Sequence, residues 1–269
     1  MRGRVLIVAG SDSGGGAGIQ ADIKAVTALE GFAATAITAL TAQDTLTVHG
    51  VHPIPPDFIA RQMTVVLDDI GADAIKTGML GDAAVINAVA DVLAAKAGSV
   101  PLVLDPVMVA KGGARLLDPD AIEVLKARLL PLAFVITPNI PEAEALTGRV
   151  IVSLNDMEAA ARDLLALGPR AVLIKGGHMT GAEVTDVLLD ASGIRHFSSP
   201  RLDSRHTHGT GCTLASAIAC GLAQGLDLAA ATARARAYVV RAIETAPGLG
   251  AGHGPLNHGH TVRQFKESD

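Results

Sequence analysis

Tryptophan is absent from this 269-residue chain, tyrosine occurs once and cysteine only twice. A 49% apolar composition over this length suffices for a large core, so a disulfide scaffold or metal-stapled mini-domain is excluded. The two cysteines, Cys212 and Cys220, lie eight residues apart near a helical pattern. That usage fits a reducing compartment and gives no zinc-ligand pairing of the usual kind. Positive charge is not in excess either: 22 Lys and Arg face 27 Asp and Glu, a net charge of −5. Without a broad electropositive surface, a nucleic-acid partner is not expected. No apolar run reaches the roughly 18 residues of a membrane span, and the run in MRGRVLIVAG is too short for a signal-peptide core. The expectation is a soluble, cytoplasmic protein with no membrane partner. No internal repeat, Ser- or Pro-rich linker or composition break divides the chain, so one domain over residues 1–269 is expected.

Short runs rich in β-branched residues recur between longer Ala and Leu stretches with helical spacing. Buried strands alternating with covering helices give this α/β pattern. Strands are expected at about 5–9, 74–77, 102–104, 134–136 and 171–174. Helices are expected around Ile19, Ile23 and Val26, and over about 82–95, 119–129, 142–146, 156–167, 212–223 and 228–245. Asp118 and Pro119 read as a helix cap with proline at the first position. Residues 33–51 read as a small flap around Thr41-Ala42-Gln43-Asp44. Segments 184–189 and 194–198 read as an antiparallel hairpin at a sheet edge. The Gly-, His- and Pro-rich tail from about 247 to 269 is expected to be only partly ordered.

Three kinds of segment carry candidate chemistry. Residues 9–18, AGSDSGGGAG, put five glycines after a strand, where backbone can approach a ligand closely. They lack the lysine and Ser or Thr ending of a P-loop, and a purely structural turn is the alternative. Gly209-Thr210-Gly211-Cys212-Thr213 opens a helix whose first amides have no intrahelical partners. Those donors suit a phosphate or a transferring phosphoryl group. A thiol at that position can be substantially ionised near neutral pH and accept a hydroxyl proton, and a buried apolar cysteine is the equal alternative. Cys220, deeper in the same helix, reads as packing. Finally Asp105, Asn139, Glu142 and Lys175 all close strands or open the helices after them. Asp105 and Glu142 suit magnesium carried by phosphates, and Lys175 could follow a moving phosphoryl group. Glu142 also suits a helix start, and a lone lysine such as Lys175 is usually solvated. The nine histidines, His206, His208, His253, His258 and His260 among them, form no metal set and read as loop residues.

Eight ordered segments together resemble a known family: AGSDSGGGAGIQADIKA, ALTAQDT, IKTGML, VLDPVMVAKGG, ITPNIPEAEAL, VLIKGG, THGTGCTLASAIA and GPLNH. They extend from Ala9 to His258 and resemble the hydroxymethylpyrimidine and phosphomethylpyrimidine kinases of thiamine biosynthesis, in the ribokinase-like superfamily. The resemblance implies a three-layer α/β sandwich with a mostly parallel central sheet, helices on both faces, a small β flap, and a homodimer. It implies a pyrimidine pocket at Gly10, Asp22, Gln43 and Met79 with Val107 close by. It implies that Asp105, Asn139, Glu142 and Lys175 serve the ATP phosphates and Mg2+, with Asp105 and Glu142 toward the metal. Gly209, Thr210, Gly211 and Cys212 would form the anion hole, Cys212 acting as base beside Lys175. The implied reaction phosphorylates 4-amino-5-hydroxymethyl-2-methylpyrimidine to its monophosphate and then its diphosphate. Pyridoxal kinase activity is a close alternative, and an inactive metabolite-binding protein a more distant one. Asp44 stands where the family commonly has asparagine, and an added charge near the substrate would disfavour the monophosphate.

Overall fold

The aliphatic runs become short strands buried on both faces, which is why they read as continuous apolar stretches without alternation. A computed structural model describes residues 2–109, 113 and 116–263. The first unit is β1 (Arg4–Ala9), α1 (Gly18–Ala28) and β2 (Phe32–Ile37), followed by a two-stranded flap, β3 (Ala39–Gln43) and β4 (Val48–Pro53). Then come α2 (Pro56–Asp69), β5 (Ala74–Thr77), α3 (Ala83–Lys96), β6 (Leu102–Leu104), α4 (Ala121–Arg128), β7 (Val135–Ile136), α5 (Ile140–Thr147), α6 (Leu154–Leu165) and β8 (Val172–Ile174). A hairpin, β9 (Glu183–Asp190) and β10 (Gly193–Pro200), precedes α7 (Thr210–Ala223) and α8 (Leu228–Glu244).

The main sheet runs β10-β9-β8-β7-β6-β5-β1-β2. Strands from β2 to β8 in that row are parallel, and β9 and β10 complete the edge in antiparallel pairing. Leu6 and Val8 of β1 face a core shared with α2 to α6, whereas Val5, Ile7 and Ala9 face one shared with α1, α7 and α8. The result is three layers. The chain leaves β1 for β2 on one side and later enters β5 on the other, so the switch point of the sheet lies beside β1. Ligand crevices in such sheets open there, beyond the carboxyl ends of the strands.

Local chemistry fixes the helix starts. Asp82, Ser153 and Asp227 each accept a hydrogen bond from an amide in the first turn of α3, α6 and α8, worth about 1 kcal/mol apiece. Helix α7 is built of Ala, Ser, Gly and Cys between bulkier residues, so it can sit deep between α1 and α8. At Gly221 a Cβ would come 2.8 Å from the Cβ of Ala231.

Three expectations require correction, and that of a partly ordered tail is met by the structure only as far as residue 263. The flap is not 33–51: β2 pairs with β1 in register as the edge of the main sheet, and only β3 and β4 form the flap. Helix α2 was not anticipated, although Pro56 at its first turn with Ile59 and Met63 inward is a legible start. Helix α4 begins at Ala121, with Asp120 at the cap position making no side-chain cap bond; Asp118 offers its carbonyl to Ala121 N. The tail through residue 263 is packed, since Tyr238 donates to the His258 carbonyl and Asn257 N to that of Ala242; residues 264–269 lie outside the described residues. No helix among the described residues is long and apolar enough to cross a membrane.

Candidate active site

The glycine-rich loop between β1 and α1 is organised by one carboxylate. Asp12 is 2% exposed; its Oδ1 accepts from Gly14 N at 2.8 Å, and its Oδ2 from Gly16 N at 3.0 Å and Ala17 N at 2.7 Å. His208 Nε2 lies 3.0 Å from the same Oδ2. Burial works against the charge, but the His208 contact and the amides hold Asp12 below the usual carboxylate range.

The far side of this loop touches the start of α7. Gly209 adopts φ +80°, and a Cβ there would overlap the carbonyl oxygen of Gly16. Only glycine permits both the left-handed backbone and the approach. The α7 amides therefore open at the carboxyl edge of the sheet, with Gly209 as the cap residue. Lys175, which follows β8, brings its Nζ to 3.2 Å from where a Cβ of Gly211 would stand. The ammonium thus sits over the first turn of α7, where amide donors and a positive charge jointly favour an anion.

Lys175 Nζ also lies 2.8 Å from Asp105 Oδ1 and 3.9 Å from Glu142 Oε2. Asp105 is 1% exposed and accepts a second bond from Thr137 Oγ1 at 3.0 Å. Against desolvation, Lys175 and then Lys76 keep Asp105 below its ordinary value. Glu142 goes the other way: burial pushes it up to about 7, and the pull of Lys175 only partly offsets this. Asn139 and Glu142 form a capping box at the start of α5, with Asn139 Oδ1 accepting from Glu142 N and Glu142 Oε2 from Asn139 N. The helix-start reading of Glu142 therefore holds together with its place beside Lys175. Both roles draw on the same carboxylate.

Cys212 is half-buried in the first turn of α7. Of the two readings of this thiol, its surroundings favour the protonated one. Burial raises the thiol to about 11; Lys76 and the Gly18 amide lower it, and Asp22 and Asp105 raise it. The helix end alone is outweighed by desolvation and two nearby carboxylates. Cys220 is fully buried, as expected of packing.

Behind Cys212 lies an ion pair that sequence reasoning missed. Lys76 of β5 is 0% exposed and contacts both oxygens of Asp22 at 2.9 Å, while Ser216 donates to Asp22 Oδ1 at 2.7 Å. Asp22, expected in the pyrimidine pocket, is thus sealed against Lys76. Removing either partner would strand a buried charge, at about 3–5 kcal/mol. Inward-facing Ala74 and Lys76 alternate along β5, so a charge in that strand was the available signal.

The flap closes over the glycine loop. Ser13 Oγ donates to the Gln43 carbonyl and accepts from Gln43 N. Met79 lies directly over Gly10, where a Cβ would overlap its terminal methyl. Gly10, Gln43 and Met79 are thus gathered beyond β1 and β5. Val107 lies in the turn after β6, its N–H bonded to the Asp105 carbonyl. Asp44 faces its own turn: Oδ1 accepts from Leu46 N and Thr47 N, and Oδ2 lies 2.8 Å from His49 Nε2. The His49 contact first, then the turn amides, hold it at about 2.

Comparison with known proteins bears on this geometry. The family model described as phosphomethylpyrimidine kinase matches residues 12–257. The chain belongs to this family. It is 55% identical over 257 residues to the thiamine biosynthesis bifunctional protein ThiED of Geobacter sulfurreducens, covering 96% of this chain and 52% of that protein. The chain thus spans about half the length of that relative. It is 47% identical over 256 residues to the hydroxymethylpyrimidine/phosphomethylpyrimidine kinase of Bacillus subtilis, covering 95% of this chain and 94% of the relative. The solved ADP complex of Bacillus subtilis pyridoxal kinase superposes with a TM-score of 0.90 at 37% identity, over 96% of this chain and 98% of that one. The three-layer sandwich is accordingly ribokinase-like, and this phosphomethylpyrimidine kinase family member is a phosphotransferase that uses ATP.

Two histidines read as loop residues do lie outside the α-helices and strands, yet make specific contacts. His208 joins the Asp12 cluster, and His258 is buried against Thr213 Oγ1 at 2.9 Å. Neither pairing was visible in the sequence, because the partners are separated by 196 and 45 residues. Among the described residues, no group of three or more His, Cys, Asp or Glu side chains could hold a metal ion.

Proposed function

We propose that this chain transfers the γ-phosphoryl group of ATP to the hydroxymethyl oxygen of 4-amino-5-hydroxymethyl-2-methylpyrimidine, and then phosphorylates the monophosphate to the diphosphate. The observation that carries the reading is the meeting of Lys175, Cys212 and the open amides of α7 at the carboxyl edge of the sheet, beside Gly10, Gln43 and Met79. An alcohol held by the flap and glycine loop would face the sulfur, and the transferring oxygens would face the amides of Gly209 to Cys212. Phosphoryl transfer depends chiefly on such alignment and on stabilising spread charge.

Against burial, Asp105 and then Glu142 keep Lys175 firmly protonated, so it meets the migrating group as a fixed cation. Two carboxylates without a third suit Mg2+, which takes most of its ligands from phosphates and water. Asp105 and Glu142 would hold it, and it would offset the charge of the outgoing phosphate. Cys212 starts as a thiol. It accepts the hydroxyl proton only as the thiolate, its own proton having passed to solvent before ATP and substrate close the site, and Lys76 is the cation that favours the ionised form. Because the transition state is loose, the hydroxyl proton leaves late, when bonding to phosphorus has made it acidic.

A pyridoxal kinase activity is the second reading, favoured by the TM-score of 0.90 to such an enzyme. Pairwise assays with ATP decide between them. Turnover of the pyrimidine alcohol and of its monophosphate supports the first reading, whereas turnover of pyridoxal alone supports the second.

A further inference from the structure

Three segments of the site meet at a single ring atom. His208 Nε2 is 3.0 Å from Asp12 Oδ2 and 3.2 Å from the Gln43 side-chain amide. His208 immediately precedes Gly209, and a Cβ at Gly16 would run into its ring. The side chain is 12% exposed, and its neighbour Asp12 is 3% exposed. Glycine loop, flap and anion-hole segment are therefore joined through one imidazole.

Proton accounting fixes the roles. Asp12 already accepts three backbone N–H bonds and is held ionised, so it can only accept from His208, whose Nε2 must carry the hydrogen. The Gln43 atom beside that N–H must then be its carbonyl oxygen, since two donors would otherwise confront each other. An amide drawn the other way round is equivalent in shape, and its orientation follows from the network. On the opposite side Thr41 Oγ1 lies 3.3 Å from the Gln43 amide and 2.8 Å from the Ser11 carbonyl. The one hydroxyl hydrogen goes to the carbonyl, which leaves Thr41 Oγ1 to accept from Gln43 NH2. One amide hydrogen of Gln43 is thereby used and the second remains available.

Resting on the reading above, we infer that His208 is a positioning residue: with Asp12 it fixes the Gln43 amide so that a free N–H faces the pocket and meets a ring-nitrogen acceptor of the substrate. A heterocycle with an unprotonated nitrogen at that edge is favoured, and one with an N–H there meets a second donor. The same contact ties the flap to the backbone of Gly209.

Calorimetric binding of the pyrimidine alcohol without ATP tests this in wild type, His208→Ala, Gln43→Ala and the double variant. Loss of a hydrogen bond shared with a charged group predicts about tenfold weaker binding for His208→Ala. In the Gln43→Ala background the same change should cost no more than about twofold, because the two act as one unit. Equal tenfold losses in both backgrounds would contradict the inference. Should His208→Ala melt, His208→Gln supplies an amide N–H at similar reach and should bind within about threefold of wild type; a folded His208→Gln that binds tenfold worse contradicts it as well. Wild type that binds the pyrimidine but transfers no phosphoryl group sinks the proposed function while leaving this cycle readable. Wild type that binds no pyrimidine sinks both.

Discussion

Alkylation of Cys212 separates a preformed thiolate from a half-buried thiol held protonated by its surroundings. Burial and the carboxylates of Asp22 and Asp105 bring it to about 11, against an ordinary cysteine near ~8.5. At pH 8 about a quarter of an ordinary thiol is ionised and about one-thousandth of Cys212, a ratio on the order of 100-fold. Iodoacetamide labelling, with Cys212→Ala as the blank and fully buried Cys220 as the internal control, should therefore be slow at pH 8. Its logarithm should climb with unit slope through pH 10. Steric hindrance would lower the rate without moving the inflection, so the inflection is the decisive quantity. A plateau reached below pH 8 would refute the desolvation argument and restore the helix-end thiolate.

Glu142 offers a second titration. Its folded value near 7 lies above an unfolded value near ~4.3, so its contribution to stability is complete below pH 4.3 and is lost as pH rises through 7. Glu142→Gln preserves an acceptor for the Asn139 amide, and its stability relative to wild type should rise by on the order of 2–3 kcal/mol between pH 4.5 and 8, read from urea midpoints; a parallel pair of curves would contradict this. Gly209→Ala forces an alanine into φ +80° against the Gly16 carbonyl, and should lower kcat about 100-fold or more; unchanged turnover would show that the α7 amides do not hold the transferring group. Asp44→Asn keeps the oxygen that accepts the turn amides, so the ratio of first to second phosphorylation rates should stay within about twofold, and a larger change would show that the charge reaches the substrate.

The layered fold was legible because its strands are uninterrupted apolar runs and its helices carry caps such as Asp82 and Asp227. Strand order was not, since pairing such as β1 with β5 joins residues far apart in the chain. Residues 32–37, FAATAI, read equally well as flap or sheet, because alanines carry little facing preference. Helix α2 hid behind two prolines and exposed apolar residues such as Phe58 and Val65.

Within the site, the glycines and Lys175 were found by their position at strand ends. The sequence could not reveal that Lys76 is buried against Asp22, or that His208 reaches Asp12 across 196 residues. The two readings of Cys212 stayed open for a different reason. Helix-end position was visible, whereas desolvation and carboxylate neighbours exist only in the folded chain.

The placement of the transferring group is tested most directly by a crystal structure with ADP, aluminium fluoride and the pyrimidine alcohol. Fluorine atoms held by the amides of Gly209 to Cys212, with Lys175 alongside and the hydroxyl oxygen in line near the Cys212 sulfur, are the predicted result. A planar fluoride seated away from the start of α7, or an alcohol remote from that sulfur, would contradict the account.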